Sequence, residues 1–415
     1  MTEIILRVAL KAPLHELYDY LPPASDIAPA VGQRVRVPFG RGERIGVIAQ
    51  LSSTTSIARD KLKSASEILD SSPLLDAPLV ELLNWAAAYY QHPPGEVFAA
   101  ALPTALRKGE QPRGATEPRW HITPTGAKQL QSTPLNAPVQ QLLLGSLNTH
   151  THGLNAAELS DIHDGWQRAV RELCKKSLVE KRTVVIARPP QPTKRTSSAP
   201  QLNDDQQHAV DLIAPPNADT WLLEGVTGSG KTEVYLRLIE AQLQAGRQAL
   251  VVVPEIGLTP QLLARFTERL DTNIVVMHSN LNDSERLHAW VAAANGTAGV
   301  ILGTRSAIFT PLHSPGIIVI DEEHDPSLKQ QEGFRYSARD IAIVRGKKLG
   351  VPTLLGSATP SFETLVNAAN GRYRHLRLPS RAGGASQPSV HLIDARKYRV
   401  TDGLSQPMVE TIRRH

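Results

Sequence analysis

The sequence predicts a multidomain α/β protein: a small β-barrel-like domain, a winged helix, and then a doubly wound parallel sheet carrying a phosphate-binding loop. Three observations predict it. Apolar runs of strand length, bounded by Gly and Pro, fill residues 1–105. Helix-length patterns ending in an alternating strand fill residues 118–186. From residue 201 onward, short unbroken Val/Ile/Leu runs alternate with amphipathic helices, the pattern of a parallel sheet covered on both faces.

In the first segment the strands are 4–10, 33–37 and 45–51, with a helix over 79–90. The runs RVRVPFG and RGERIGVIAQ meet at a Gly-rich bend, as in a barrel hairpin. In the second, helices over 138–147, 155–160 and 165–175 precede LVEKRTVVIA, which alternates like a wing strand. Residues 187–200 form a Pro/Ser/Lys/Arg linker unsuited to packing a core. The third segment, 201–380, reads TWLLEG, EVYLRLIEAQLQAG, QALVVVPE, LTPQLLARFTERL, NIVVMHS, AGVILGT, GIIVIDE and TLLGSAT, strand and helix by turns. A last segment covers 381–415.

Composition excludes several classes. With 41% hydrophobic and 20% charged residues the chain is ordinarily globular, and no run nears the roughly 20 apolar residues of a membrane span. The N-terminus reads as a first strand, not a signal peptide, and a cytoplasmic protein without membrane partners is expected. A single cysteine, Cys174, rules out an intrachain disulfide and a thiolate zinc site. The net charge of +5 is unevenly spread: residues 201–370 hold 13 basic against 19 acidic side chains. Charge alone is therefore a poor pointer to nucleic acid.

The chemistry lies in motifs. Gly225, Val226, Thr227, Gly228, Ser229, Gly230, Lys231 and Thr232 form a complete phosphate-binding loop between a strand and a helix. Glycines let backbone N–H groups wrap a polyphosphate at the helix's positive end. Lys231 then reaches the β- and γ-phosphates of ATP, and Thr232 is placed to ligate Mg²⁺. Ninety positions beyond Lys231, the strand GIIVI delivers Asp321, Glu322, Glu323 and His324. Asp321 is the candidate for holding Mg²⁺ through water, and Glu322 for activating the attacking water. A solvated acidic loop after a core strand is the bland alternative.

With these in place a resemblance emerges. DEEH resembles motif II of superfamily 2 helicases, whose motor lobe is RecA-like. Gly356-Ser357-Ala358-Thr359-Pro360 resembles motif III, implying that Ser357 and Thr359 couple nucleotide state to the DNA track. Val253-Pro254-Glu255 and Gly303-Thr304-Arg305 resemble motifs Ia and Ib, which touch the nucleic-acid backbone, and Gln206 matches the adenine-reading glutamine. The wording GVTGSGKTEVY, VPEIGLTPQ, HSNLNDSER, GTRSAIFTP, DEEHD, KQQEGFRYSARD and GSATPS is similar to the PriA family of bacterial replication-restart helicases.

That resemblance implies an ATP-dependent 3′-to-5′ DNA helicase that recognises stalled or abandoned forks and initiates primosome assembly. Its implied partners are forked DNA with a 3′-hydroxyl leading-strand end, single-stranded DNA, other primosome proteins and single-stranded DNA-binding protein, in a nucleoid-associated setting. Tyr18, Asp19 and Tyr20 match the family's 3′-end DNA-binding pocket, in which Asp19 accepts a hydrogen bond from the terminal hydroxyl; Gly40 and Lys63 match the positions that close it. Phe334, Arg335 and Tyr336 lie in the family's aromatic-rich loop, where stacking on bases is expected and core anchoring is the alternative. Arg34, Arg36, Arg41 and Arg44 face phosphate or simply solvent.

The family continues into a second motor lobe with a late arginine motif and a Cys-rich insertion binding two zinc ions. Here no zinc ligands are expected, and the chain, stopping in a helix-like run before His415, reads as truncated. Alone it is expected to bind ATP, hydrolyse it poorly and not unwind DNA. Two other functions compete: a non-catalytic fork-binding module with ATP as a ligand switch, and another superfamily 2 translocase.

Overall fold

The structure, a computed structural model, describes residues 4–113, 116–132, 135–185, 200–381, 390–398 and 400–414. Strands β1 (Ile5–Ala9), β2 (Tyr18–Tyr20), β3 (Arg34–Phe39), β4 (Gly42–Ser52) and β5 (Glu67–Ile68) form an antiparallel sheet in the order β2-β1-β4-β3-β5. Leu21 bridges to Ser64 and donates its N–H to Lys63 O at 2.9 Å, so the two edges meet and the sheet curls into a barrel. Alternate side chains, among them Leu6, Val8, Val35, Val37 and Ile48, fill its interior. Gly40, at φ +62°, turns the two-residue loop between β3 and β4.

Helices α1 (Ala77–Tyr89), α2 (Pro94–Ala100) and α3 (Thr104–Arg107) follow. Asp76 caps α1 by accepting from Leu79 N at 3.0 Å. These helices share a core with the third segment, and Trp290 Nε1 donates to Ala101 O at 2.8 Å across the join.

The second segment runs β6 (Thr116–Ile122), α4 (Pro124–Ser132), α5 (Pro138–Thr149), α6 (Ala156–Ile162), α7 (Trp166–Lys175) and β7 (Val179–Val185). The three expected helices are present, around a core that includes Leu143, Leu147, Leu159, Trp166 and Leu173. The expected wing strand, β7, does not pair with a neighbour that follows the helices: it pairs antiparallel with β6, which precedes them. Short-range patterning carried no sign of that distant upstream partner, Ile122 lying opposite Val179 and Thr116 opposite Val185. Of the expected linker, residues 187–199 lie outside the described residues.

The third segment comprises α8 (Asp204–Ile213), β8 (Thr220–Gly225), α9 (Lys231–Gln244), β9 (Gln248–Val252), α10 (Pro260–Arg269), β10 (Ile274–Met277), α11 (Asp283–Ala294), β11 (Val300–Gly303), β12 (Pro315–Ile320), α12 (Ala338–Leu349), β13 (Thr353–Ser357), α13 (Phe362–Ala369) and β14 (Arg374–Leu378). Its sheet is parallel throughout, ordered β10-β11-β9-β12-β13-β8-β14. Both faces are buried. Leu250, Val252, Ile318 and Ile320 point into one core, while Ala249, Val251, Ile317 and Val319 point into the other. Beyond it lie a small hairpin, β15 (Val400–Thr401) and β16 (Leu404–Ser405), and α14 (Gln406–Arg414). Among the described residues no helix is long and apolar enough to cross a membrane.

Candidate functional site

Because β12, β13 and β8 are neighbours in a parallel sheet, their C-terminal ends release three loops side by side. These loops carry the glycine-rich run 225–230, Asp321-Glu322-Glu323-His324, and Ser357 with Thr359.

At the first loop, Gly228 and Gly230 sit at φ +81° and +84°, a backbone that a side chain would strain. A Cβ on Gly225 would lie 2.5 Å from Ser229 Oγ. Val226, Thr227 and Gly228 are exposed at the rim, and Thr232 is half-buried in the first turn of α9. Lys231 Nζ turns back to Gly225 O at 3.0 Å, and the Ser229 hydroxyl is buried with no hydrogen-bond partner. An orphaned hydroxyl, a retractable ammonium and a helix N-terminus in one cradle fit a polyphosphate.

Gln206 is placed otherwise than expected. It is buried, its Nε2 donates to Ser229 O at 2.8 Å, and its Oε1 accepts from Asn203 N at 3.0 Å in a capping box. In this conformation the amide ties α8 to the phosphate loop and is not presented to a purine.

Asp321 follows β12, and its Oδ1 accepts from the hydroxyl of Tyr235, a fully buried side chain of α9, at 3.0 Å. Burial first, then the Glu322 charge, holds Asp321 above the ordinary carboxylate value; the Tyr235 bond and Lys231 oppose this. Burial and the same Asp321 carboxylate push the Tyr235 phenol well above its usual range. Thr232 and Asp321 carry oxygen donors of the kind a divalent ion takes. Among the described residues no cluster of three His, Cys, Asp or Glu side chains is placed to bind a metal.

Glu322 adopts φ +46°, in the left-handed region that a non-glycine residue rarely occupies. The turn leaves its carboxylate half-exposed, 3.6 Å from His324 Nδ1. His324 also contacts Ser357 Oγ at 2.7 Å through Nδ1 and Thr359 Oγ1 at 3.3 Å through Nε2. The two expected coupling residues thus meet the acidic loop through one imidazole.

Glu323 is its neighbour's opposite. Fully buried, it accepts from Ser361 N at 2.7 Å, Ser361 Oγ at 3.1 Å, Thr364 Oγ1 at 2.9 Å and Arg339 Nη1 at 3.1 Å. Neither Glu323–Arg339 nor Tyr235–Asp321 was found from sequence. The only signal for the tyrosine was its place one helical turn past Lys231, on the face turned to the sheet.

Arg305 is partly exposed, donates to Ser327 O at 3.1 Å and pairs with Glu255 at 3.5 Å, which joins the segments 253–255 and 303–305. Phe334 and Tyr336 correct the stacking expectation. They are 8% and 5% exposed, packed on each other at 4.8 Å and on Phe309, with Tyr90 and His92 also against Phe334. Apolar burial against α1 outweighs presentation to a base, leaving Arg335 as the exposed member of the trio.

In the barrel, Tyr18, Asp19 and Tyr20 make up β2. Tyr20 OH donates to Pro38 O at 3.0 Å; Tyr18 meets Phe39 edge-on at 5.3 Å, and its hydroxyl is buried without a partner. Asp19 lies 3.7 Å from Arg7 Nε. Gly40 is two residues from Pro38 at an exposed turn, and Lys63 O pairs with Leu21 N, so both are brought to the β2 end. Of the four hairpin arginines, Arg34 faces neither phosphate nor solvent. It is fully buried, bonded to Asp70 at 2.7 Å and 3.1 Å and to the carbonyls of Leu106 and Glu110, because the α3 region folds over it. Arg36 and Arg44 remain near the surface and Arg41 is exposed.

Comparison with known proteins points to one family. A family model described as the 3′ DNA-binding domain of PriA matches residues 7–103, and one described as DEAD/DEAH box helicase matches residues 203–368. The chain is 39% identical to the replication restart protein PriA of Haemophilus influenzae over 421 residues, covering 99% of this chain and 57% of that protein. It is 31% identical to the replication restart proteins PriA of Chlamydia pneumoniae, covering 96% of this chain and 55% of that protein, and of Bacillus subtilis, covering 88% and 54%. The chain therefore spans little more than half the length of these relatives. Matched along nearly its whole length, it belongs to the PriA family of replication restart proteins.

Proposed function

We propose that this chain is the DNA-recognising and ATP-binding portion of a 3′-to-5′ DNA helicase that acts at stalled or abandoned replication forks and begins primosome assembly. The observation that supports it most is the convergence of the glycine loop, Asp321-Glu322 and Ser357-Thr359 at adjacent strand ends. Gly225 to Gly230 cradle the triphosphate, and Lys231 leaves the Gly225 carbonyl to meet it. Magnesium, when bound, neutralises phosphate charge, with Thr232 and Asp321 as its protein-side holders. Glu322 orients and deprotonates water, and His324 passes the state of that carboxylate to Ser357 and Thr359.

On the DNA side, Asp19 accepts a hydrogen bond from a terminal 3′-hydroxyl between Tyr18 and Tyr20, with Gly40 and Lys63 at the rim. Arg305 and Arg335 meet backbone phosphate. The working partners are forked and single-stranded DNA, other primosome proteins and single-stranded DNA-binding protein, in the cytoplasm at the nucleoid.

Forks ending in a 3′-hydroxyl and in a 3′-phosphate test the end-reading site by competition binding. The hydroxyl end should bind tighter, and Asp19→Asn should erase the difference. Equal affinity of the wild-type chain for both ends would refute it. Lys231→Ala should remove ATP turnover and leave fork binding near the wild-type level.

A further inference from the structure

Two cavities lie side by side beyond the nucleotide loop and the β2 pocket. One, about 560 Å³, lies between the β3–β4 hairpin and the α2–α3 segment; the other, about 490 Å³, lies between that segment and the third segment of the chain. They share Lys11, Ala99, Leu102, Thr104 and Arg107 in their walls, so they adjoin around the α2–α3 segment and together make one groove across it.

Cations outnumber carboxylates along the groove, most of all in the first cavity. The first cavity is lined by Lys11, Arg36, Arg44, Arg107 and Lys108 against Glu43 alone, and Glu43 already accepts from Ser66 Oγ at 2.6 Å. The second adds Arg286, with Glu96 and Asp283 as its acidic members. Arg107, common to both, has an anomaly of its own. Nη2 donates to Thr104 Oγ1 at 2.9 Å, but Nε is buried with no hydrogen-bond partner. Burial, and Arg286 nearby, weigh against its charge, and only Asp283 favours it. The buried Nε donor is thus unsatisfied, and one carboxylate, Asp283, is set against two guanidinium groups.

The ends of the groove are informative. At one, Arg44 lies 4.6 Å over the Phe39 ring, whose edge meets Tyr18 of β2. At the other, the wall includes Phe334. The first cavity's floor is Ala9, Ile45, Val47 and Leu102, and its one aromatic, Phe98, is 1% exposed. It offers no face for base stacking, so its contacts would be to phosphate and sugar.

We propose that this groove is a phosphate track that binds the backbone of a nucleic-acid strand regardless of sequence, with Arg107 at the junction, and that it joins the β2 end-site to the loop of Phe334. The inference rests on the proposed DNA binding of the chain.

Fluorescence anisotropy with labelled forks, across a salt series, tests it on the full 415-residue chain. Removing one cation that meets a phosphate lowers the slope of log affinity against log salt by about 0.7–0.9. Arg107→Gln and Lys108→Ala should each lower the slope by that amount, equally for unrelated sequences. Lys108 is exposed, so its variant reports on the track even if Arg107→Gln melts early. Unchanged slopes in folded Lys108→Ala and Arg44→Ala variants would overturn the proposal. So would displacement of the fork by polyglutamate as readily as by unlabelled DNA of equal charge, which would make the groove a site for acidic protein. Loss of 3′-hydroxyl preference with a normal slope would instead fault the end-reading site and leave the track standing.

Discussion

Glu322 and Glu323 are adjacent and identical, yet their replacement by glutamine should have opposite consequences. Glu323 Oε1 accepts from the Ser361 backbone N–H, while Oε2 accepts from Arg339, Ser361 Oγ and Thr364 Oγ1. The two hydroxyls can rotate to suit an amide; the backbone N–H and the guanidinium cannot. Whichever way the glutamine amide is turned, one of those two fixed donors faces an NH₂ group. Removing a charged hydrogen bond at a buried site costs about 1.5–3 kcal/mol, and breaking a fully buried ion pair about 3–5 kcal/mol. Arg339 is partly exposed and keeps Asp340 at 3.0 Å, so we expect the lower part of that range, about 2–3 kcal/mol. For a domain of this size, thermal unfolding should fall by about 4–12 °C. Glu322→Gln, half-exposed, should shift it by less than about 2 °C while abolishing ATP turnover. Scanning calorimetry of both variants checks this. A Glu323→Gln transition within about 2 °C of wild type would refute the assignment of Glu323 to structure and Glu322 to chemistry, which rests on burial.

Asp321→Asn should separate stability from binding. Because the folded chain holds the Asp321 proton more tightly than the unfolded chain, ionising it costs stability as pH rises from the ordinary carboxylate range through the raised value. Asparagine removes that cost and still accepts from Tyr235, so the nucleotide-free variant should melt no lower than wild type at neutral pH. The difference should shrink toward acid, and a lower melting temperature at neutral pH would contradict this. Gly356→Ala should destabilise by about 2–3 kcal/mol, since its Cβ would stand 1.6 Å from the buried Tyr235 hydroxyl. Adding Tyr235→Phe should recover part of that stability in a double-mutant cycle; strict additivity would show that the two do not touch.

Much of this was legible in sequence because it is local. The phosphate loop, the strand before Asp321 and the apolar strands from 220 to 357 announce themselves by spacing and by unbroken Val/Ile/Leu runs. What was missed depends on distant partners. Period-two alternation puts Arg34 and Arg36 on one face, but only the α3 region and Asp70 decide that Arg34 is sealed in. Phe334 and Tyr336, set among Gln, Glu and Arg, gave no hint of Tyr90 and Phe309. Edge strand β14, RHLRL, hides its role by carrying charges, and His375 and Arg377 pair with Glu224 across the sheet. Strands of two or three residues such as β5 and β2 are too short to show a period at all.

The central claim is that a triphosphate seats on the amides ahead of Lys231, opposite Asp321. Titration of a fluorescent ATP analogue with Mg²⁺ into the folded chain tests it most directly. We predict saturable binding to the wild type that Lys231→Ala abolishes and Asp321→Asn weakens when Mg²⁺ is present. A folded wild-type sample that never saturates, or a Lys231→Ala variant that binds as tightly, would contradict the account.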